Sequence, residues 1–297
     1  MSSRVSLRLA AAATAVLSFF LTGSLTGPTD PAAADRPTSP ASWAGAQYVA
    51  LGDSYTAAPF VPTLDVAGGC YRSTQNYPAL VARALGADLT DRSCSGAQTK
   101  DMTVSQLPGI APQFDALSAD TDLVTVSIGG NDFSVFGTLV SYCPTLRASD
   151  PTGAPCRDAM RQGGRDALLA DVAQTSVRVA TVVREVHRLA PYARVLVVGY
   201  PQIGPRHGTC PDLLPLADGD YRYANQVAER LDQALRHAAA VTRSSYVDVW
   251  GPSKGHDICS ADPWINGQYT DPSRAQSYHP FAEEQQAVAG LVLDTLH

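Results

Sequence analysis

The sequence predicts an α/β fold, a three-layer α/β/α sandwich in which helices cover both faces of a five-stranded parallel sheet. Short apolar runs rich in β-branched residues alternate along the chain with amphipathic stretches of helical period. The runs lack polar alternation, which is typical of strands buried on both faces. About 250 residues follow a distinctive N-terminal segment, a length that suits one large domain.

Nine segments carry this prediction. The expected strands cover residues 48–51, 88–93, 123–128, 194–199 and 246–249. The principal helices are expected at residues 77–85, 165–189, 221–241 and 282–296. Because crossovers between parallel strands are right-handed, the carboxyl ends of all five strands should meet at one edge of the sheet.

The N-terminal segment has the layout of a secretory signal. Arg4 and Arg8 precede an apolar stretch, and small residues ending at Ala34 offer a cleavage site. A membrane anchor is the alternative, but Thr and Ser interrupt the apolar stretch and a cleavage site follows it. The sequence therefore predicts a signal peptide over 1–34, a disordered leader over 35–45 and an extracellular domain over 46–297, with no membrane span.

Composition excludes several classes of function. The net charge of −6 with 22 Lys and Arg residues gives no basic patch for nucleic acid. The even number of cysteines in an exported chain predicts three disulfides and leaves their pairing open. No HExxH or CxxC spacing occurs, so we expect no metal and no cofactor, and we expect a monomer. The cysteines are Cys70, Cys94, Cys143, Cys156, Cys210 and Cys259.

Chemistry-bearing residues collect at the predicted edge. Ser54 ends the first strand in the stretch YVALGDSYT, where an Asp-Ser pair is more commonly a helix cap or a turn. Ligands bind at this edge in open α/β sheets, so Ser54 is also a candidate nucleophile. Other loops at the same edge bring Ser95-Gly96, Gly129-Gly130-Asn131-Asp132 and His279-Pro280.

A serine nucleophile needs a neighbouring base and a site for the oxyanion. His279, just before a helix that Pro280 introduces, is the first candidate for the base, and His256 is the second. The Ser54 N–H, the Gly96 N–H and the Asn131 amide could each stabilise an oxyanion by about 3–4 kcal/mol. Taken singly, Gly96 is better explained as a turn glycine and Asn131 as a cap residue. Together with Ser54 and His279 they point to ester cleavage.

The four blocks GDSYT, Ser95-Gly96, GGND and His279-Pro280 resemble, in order and spacing, those of the SGNH-hydrolase or GDSL-type superfamily. The exported six-cysteine form is similar to secreted actinomycete lipases and esterases. The resemblance implies a flavodoxin-like SGNH-hydrolase fold, with Ser54 as nucleophile, Gly96 and Asn131 as oxyanion donors and His279 as base. It also implies disulfides in chain order, Cys70–Cys94, Cys143–Cys156 and Cys210–Cys259.

The resemblance leaves the substrate open among lipid or simple acyl esters, phospholipids, acetylated polysaccharides and thioesters. A non-catalytic binding protein on the same fold is the alternative from a different class. Loop aromatic residues offer apolar surface for an acyl chain, although scattered aromatics usually belong to the core. They are Phe60, Phe133, Phe136, Trp264 and Tyr269.

One position departs from the family pattern. The family usually has Asp three residues before the histidine, where this chain has Gln276. We therefore predict a dyad in which the main-chain carbonyl of Gln276, or as second choice Ser277, orients His279. A distant carboxylate, Asp271 or Asp262, is the alternative. Asp53 is interpreted as a hydrogen-bond acceptor that braces its loop, because adjacent side chains point in different directions.

Overall fold

The computed structural model describes residues 42–65 and 67–297. The expected signal peptide, 1–34, and the first part of the expected leader lie outside the described residues. Residues 42–45 of the expected leader are described, and Ala44 and Gly45 lie in a turn. The Gly45 N–H donates to Gly86 O at 2.8 Å, and Trp43 packs against core residues.

The sheet at the centre of the domain has five strands, all parallel, in the order β4-β1-β5-β8-β9. Two antiparallel pairs, β2 with β3 and β6 with β7, lie outside it. The strands of the described residues are β1 Gln47–Gly52, β2 Leu64–Asp65, β3 Arg72–Ser73, β4 Asp88–Asp91, β5 Leu123–Ser127, β6 Arg161–Gln162, β7 Arg165–Asp166, β8 Arg194–Val198 and β9 Ser245–Val247.

Helices connect these strands. Four long ones, α2, α6, α7 and α8, coincide closely with the four that the sequence predicts. The α-helices are α1 Ser54–Ala57, α2 Tyr77–Leu85, α3 Val135–Gly137, α4 Cys143–Leu146, α5 Pro155–Met160, α6 Ala167–Leu189, α7 Asp220–Thr242 and α8 Ala282–Leu296. None of the helices in the described part of the chain is both long enough and apolar enough to cross a membrane.

The two faces of the sheet carry separate apolar cores. Successive side chains of a strand point to opposite faces, and β1 shows this clearly. Val49 and Leu51 join a core with α6 and α7, whereas Tyr48 and Ala50 join a second core with α2 and α8. This arrangement confirms the predicted three-layer sandwich. It also explains why β1, β5 and β8 are buried on both faces.

The strand order fixes where a ligand can bind. Numbered by appearance, the five sheet strands lie in the order 2-1-3-4-5, which is the flavodoxin-like order. The chain leaves β1 toward one side and β5 toward the other, and a crevice opens between their carboxyl ends. Gly52 and Ser127 pair there, so the residues that follow them, Ser54 and Asn131, flank the same crevice.

Three disulfides join the cysteines in the order that the resemblance implied. They are Cys70–Cys94, Cys143–Cys156 and Cys210–Cys259. Cys70–Cys94 joins the segment between β2 and β3 to the loop after β4, which carries Gly96.

Candidate active site

Ser54 stands at the point where β1 turns into α1. Asp53 caps this short helix, its carboxylate accepting from the Tyr55 N–H at 3.0 Å. A Cβ on Gly52 would lie 2.8 Å from Ser127 O and 2.2 Å from the Thr56 hydroxyl oxygen. Glycine is therefore required here because the chains approach closely. Ser54 itself is buried.

Asp53 braces the nucleophile loop, as the sequence analysis proposed. Its second carboxylate oxygen accepts from the Tyr200 hydroxyl at 2.5 Å, and that hydroxyl accepts from the Gly130 N–H at 3.1 Å. Tyr200 thus joins the loop after β1 to the loop after β5. Burial raises the pKa of Asp53 to about 7, although its hydrogen bonds from Tyr200 and Tyr55 act in the opposite direction.

The predicted oxyanion donors come from adjacent loops. The Asn131 amide nitrogen donates to Ala97 O at 3.0 Å, which holds Asn131 beside the residue that follows Gly96. One amide hydrogen remains for a ligand. The Ser54 N–H and the Gly96 N–H donate to no other described residue. Gly96 has a φ of 79°, a conformation that favours glycine.

A buried carboxylate fixes these two loops to each other. Asp132 accepts from the Thr99 N–H at 2.8 Å and from the Thr99 hydroxyl at 2.5 Å. Arg178 of α6 donates to the same carboxylate at 3.2 Å. The final residue of the GGND block therefore has a structural role, because it positions the loop that carries Gly96.

A main-chain carbonyl holds the ring of His279. The prediction that Gln276 supplies this carbonyl is wrong. The ring Nδ1 lies 2.7 Å from Ser277 O, which was the second choice. Gln276 O instead accepts from the His279 main-chain N–H at 3.2 Å, closing a turn. It also accepts from the Asn266 amide. A carbonyl committed to the backbone of His279 is not available to its ring.

The carbonyl also sets the tautomer of His279. A carbonyl can only accept, so Nδ1 carries the hydrogen and Nε2 is left as the basic nitrogen. Burial lowers the pKa of His279 to about 4, while the hydrogen bond to Ser277 acts in the opposite direction. The imidazole is therefore neutral at pH 7.

Neither alternative carboxylate supports His279 in the described part of the chain. Asp271 is engaged with Ser273 through its backbone N–H and hydroxyl. Asp262 lies 3.4 Å from His256, whose ring stacks on Trp264 at 4.3 Å. His256, the second candidate for the base, is thus held in a separate surface cluster. No three His, Cys, Asp or Glu side chains among the described residues form a group that could hold a metal ion.

A cavity of about 20 Å³ opens beside the nucleophile. Ser54 and Asn131 line it, and its other walls are mostly apolar or aromatic, including Phe136, Tyr55 and Tyr200. Phe136 is the only one of the five loop aromatics suggested by the sequence that lines this cavity within the described residues. The other four lie elsewhere: Phe60 stacks on Tyr71, Phe133 lies under Arg178, Trp264 stacks on His256, and Tyr269 is exposed.

Sequence reasoning missed three residues that organise the site. Tyr55 donates to Tyr278 O at 2.9 Å and places its ring 5.7 Å from that of His279. The side-chain amide of Gln113 accepts from the Gly52 N–H at 2.8 Å and donates to Gly52 O at 2.9 Å. Tyr200 follows β8 at the same edge, and its position at a strand end was the one available signal. Gln113 gives no such signal, because it begins a short 3₁₀ helix, Gln113–Ala116, that follows no strand of the sheet directly.

Tyr200→Phe is expected to lower the free energy of unfolding by about 2 kcal/mol. The change leaves the Gly130 N–H and the Asp53 carboxyl buried without the partner they share, and an unsatisfied buried polar group costs about 1–3 kcal/mol. Urea denaturation of both proteins measures the difference. The matched control is Tyr192→Phe, at an exposed tyrosine, where the loss should stay below about 0.5 kcal/mol. Equal effects at the two positions would contradict the assigned role.

The fold is a flavodoxin-like α/β/α sandwich, and Ser54 lies at the switch point of its sheet. The sequence profile of the GDSL-like Lipase/Acylhydrolase family matches residues 50–287. The chain belongs to this family, and it is a hydrolase of ester bonds.

Relatives with known names agree with this assignment. The chain is 41% identical to Lipase 2 of Streptomyces coelicolor over 259 residues, covering 84% of this chain and 85% of the relative. Phospholipase A1 from Streptomyces albidoflavus is similar in structure, with a TM-score of 0.65 and 29% sequence identity. The match covers 85% of this chain and 100% of that one. An extracellular lipase from Streptomyces rimosus gives the same TM-score, 0.65, at 30% identity, again with 85% and 100% coverage.

Proposed function

We propose that the protein is a secreted serine carboxyl-ester hydrolase that cleaves lipid-type acyl esters through a Ser54–His279 dyad. The observation that carries the proposal is the set of groups around Ser54. Ser54 and Asn131 line one cavity, and the Asn131 amide donates to the carbonyl of Ala97, the residue after Gly96. The N–H groups of Ser54 and Gly96 have no acceptor among the described residues. The third element is His279, oriented by a carbonyl so that Nε2 is basic.

The reaction follows from these roles. The Ser54 hydroxyl oxygen attacks the ester carbonyl while His279 Nε2 takes its proton. The Ser54 N–H, the Gly96 N–H and the Asn131 amide stabilise the tetrahedral oxyanion. His279 then protonates the leaving alkoxide, which leaves an acyl group on Ser54. Water activated by the same histidine releases the acid and restores the serine.

The lining of the cavity favours an acyl ester over a carbohydrate ester. Beside Ser54 it is walled by rings and aliphatic side chains such as Phe136 and Leu231, which suit a hydrocarbon chain. Secretion is supported by the layout of residues 1–34 and by the three disulfides, which form and persist in oxidising compartments.

A labelling experiment tests the proposal. The purified protein is assayed on p-nitrophenyl butyrate before and after treatment with a p-nitrophenyl alkylphosphonate, which traps serine nucleophiles. We expect complete inactivation, with one phosphonyl group on the peptide that contains Ser54. Hydrolysis that continues after treatment, or a label on a different peptide, would contradict the proposal.

The pH profile follows from the environment of His279. The base must be neutral, so kcat/KM rises as pH increases through the pKa of His279 and is level above it. Because burial lowers that pKa to about 4, half-maximal kcat/KM is expected near pH 4 rather than near the ordinary value of about 6.5. Stopped assays between about pH 3.5 and 6 measure this limb, and far-UV circular dichroism confirms folding. Asp53, with a pKa of about 7, stays mostly protonated there. A midpoint above pH 6 would contradict the prediction.

A further inference from the structure

A tight turn carries the Gly96 N–H, which the proposed mechanism uses as an oxyanion donor. The Ala97 N–H donates to Cys94 O at 3.0 Å, and Gly96, at the third position of the turn, has a φ of 79°. This combination is typical of a type II β-turn. The peptide bond between Ser95 and Gly96 is therefore the central peptide of the turn.

Both ends of the turn are fixed to the other loops of the site. At its start, the Cys94 N–H donates to Gly52 O at 3.1 Å, just before Asp53 and Ser54 in the chain. At its end, Ala97 O accepts from the Asn131 amide at 3.0 Å. These contacts locate the turn between the nucleophile loop and Asn131, but neither of them involves the central peptide.

The ends of a turn do not fix the orientation of its central peptide. Type I and type II turns differ by a rotation of this peptide through about 180°, and glycine at the third position tolerates both. Gly96 is exposed, so close packing does not hold the peptide in place. The oxygen and the hydrogen of a trans peptide point in opposite directions. The direction of Ser95 O therefore decides where the Gly96 N–H points.

The side chain of Gln106 holds this peptide. Its amide Nε2 donates to Ser95 O at 2.7 Å, and no other donor among the described residues reaches that oxygen. The same nitrogen would lie 3.7 Å from a Cβ on Gly96, so the amide packs beside the turn. The bond directs Ser95 O toward Gln106 and the Gly96 N–H away from it. It also polarises the peptide, which strengthens the N–H as a donor.

Stability alone does not explain this contact. The other polar atom of the amide, Gln106 Oε1, is buried and has no donor among the described residues, and an unsatisfied buried acceptor lowers the stability of a protein. The loop around Gln106 is nevertheless anchored. The Ser105 hydroxyl lies 2.8 Å from Leu107 O and 2.5 Å from Ile110 O, and Leu107 and Ile110 pack against the core. A braced loop therefore carries the amide to Ser95 O.

We propose that Gln106 is a positioning residue for the reaction, because its amide keeps the Ser95–Gly96 peptide in the orientation in which the Gly96 N–H donates to the oxyanion. The inference rests on the proposed function, in which Gly96 is a donor, and adds the residue that aims this donor. The N–H meets its acceptor only when the oxyanion forms. Loss of Gln106 should therefore lower kcat and leave KM nearly unchanged.

Gln106→Met is the first test, because methionine has a similar length and no hydrogen to donate to Ser95 O. We expect kcat for p-nitrophenyl butyrate to fall about 10- to 100-fold, somewhat less than the loss of about 10²–10³ when an oxyanion donor is removed outright. The matched control is Gln162→Met. Gln162 is exposed, and its amide also donates to a main-chain carbonyl, Ala159 O, so this change should alter kcat less than about twofold.

An NMR measurement reports on the Gly96 N–H directly. Ser95-Gly96 is the only Ser-Gly pair in the sequence. Cell-free synthesis with serine labelled at its carbonyl carbon and glycine labelled at its nitrogen therefore gives one cross-peak, that of Gly96. The alkylphosphonate adduct of Ser54 places a phosphonyl oxygen where the oxyanion forms. On forming this adduct, the Gly96 amide proton should move downfield in the parent protein and should move less in Gln106→Met.

The outcomes separate this inference from the proposed function. A folded Gln106→Met protein that loses less than about tenfold in kcat, or an equal downfield shift in the two adducts, would overturn the positioning role. Hydrolysis by the parent that Ser54→Ala abolishes would in that case leave the ester hydrolase intact. A parent protein without Ser54-dependent hydrolysis would overturn both.

A second variant decides if Gln106→Met does not fold, as judged by circular dichroism. Gln106→Glu keeps the length of the side chain, and near pH 8 its carboxylate has no hydrogen to donate to Ser95 O. We again expect kcat to fall at least about tenfold, and a smaller loss would overturn the inference.

Discussion

Ser54→Ala is expected to lower kcat for a p-nitrophenyl ester by about 10⁴- to 10⁶-fold, the range seen when a serine nucleophile is removed from comparable machinery. Alanine has no hydroxyl to attack the carbonyl, so neither the acyl-enzyme nor the proton transfer to His279 takes place. The oxyanion donors and the cavity remain, and KM should change little. Steady-state kinetics with burst analysis measures both parameters.

The control for Ser54→Ala is Ser149→Ala. Ser149 is exposed and its hydroxyl donates only to Leu146 O, so the change should alter kcat less than twofold or so. A Ser54→Ala protein that is folded and retains more than about a hundredth of the parent kcat would refute the nucleophile assignment. If both variants unfold at the same temperature as the parent protein, a loss of kcat reflects the chemical step and not a loss of folded protein.

His279→Ala is the second large effect, with an expected loss in kcat of at least about 10⁴-fold. Without Nε2 nothing accepts the Ser54 proton or returns it to the leaving alkoxide. His256→Ala is the matched control, because His256 stacks on Trp264 in a separate cluster. It should alter kcat less than about threefold. Comparable losses in the two variants would contradict the assignment of the base.

Carboxylate variants test whether His279 works in a dyad or a triad. Asp262→Asn and Asp271→Asn are each expected to change kcat less than about threefold, because neither side chain bonds to His279 among the described residues. Removing the acid of a true triad costs about 10⁴-fold. A loss of that size in either variant would show that a carboxylate supports the histidine during the reaction.

The fold could be predicted because local and long-range signals agree. The stretch LVTVS is buried at every position, as expected for a strand of a parallel sheet that helices cover on both faces. Helix α2 begins and ends where its N-cap Asn76 and its C-terminal Gly86 predict. The bounds of β9 were harder to predict. The strand covers only Ser245–Val247 and ends earlier than its sequence suggests. The hydroxyl of Tyr246 in this strand donates to Asp232 of α7.

The site was predictable only where a residue type signals its chemistry. Ser54, Gly96, Asn131 and His279 lie in short motifs whose order restricts the interpretation. The supporting contacts depend on tertiary geometry that leaves no local pattern. Tyr200, for example, reaches two loops across the sheet edge. The choice between the carbonyls of Gln276 and Ser277 likewise depends on one turn, in which Tyr278 has a φ of 62°.

In the proposed Ser54–His279 dyad, the carbonyl of Ser277 makes the orientation of the base independent of pH. A carboxylate partner would be neutralised as pH falls, and it would then lose its charge-assisted hold on the imidazole. A peptide carbonyl carries the same dipole at every pH at which the chain is folded. Of the two partners in this hydrogen bond, only the imidazole of His279 takes up a proton in acid. Because that carbonyl belongs to the backbone, the side chain at 277 is also free to vary without changing the atom that orients the base.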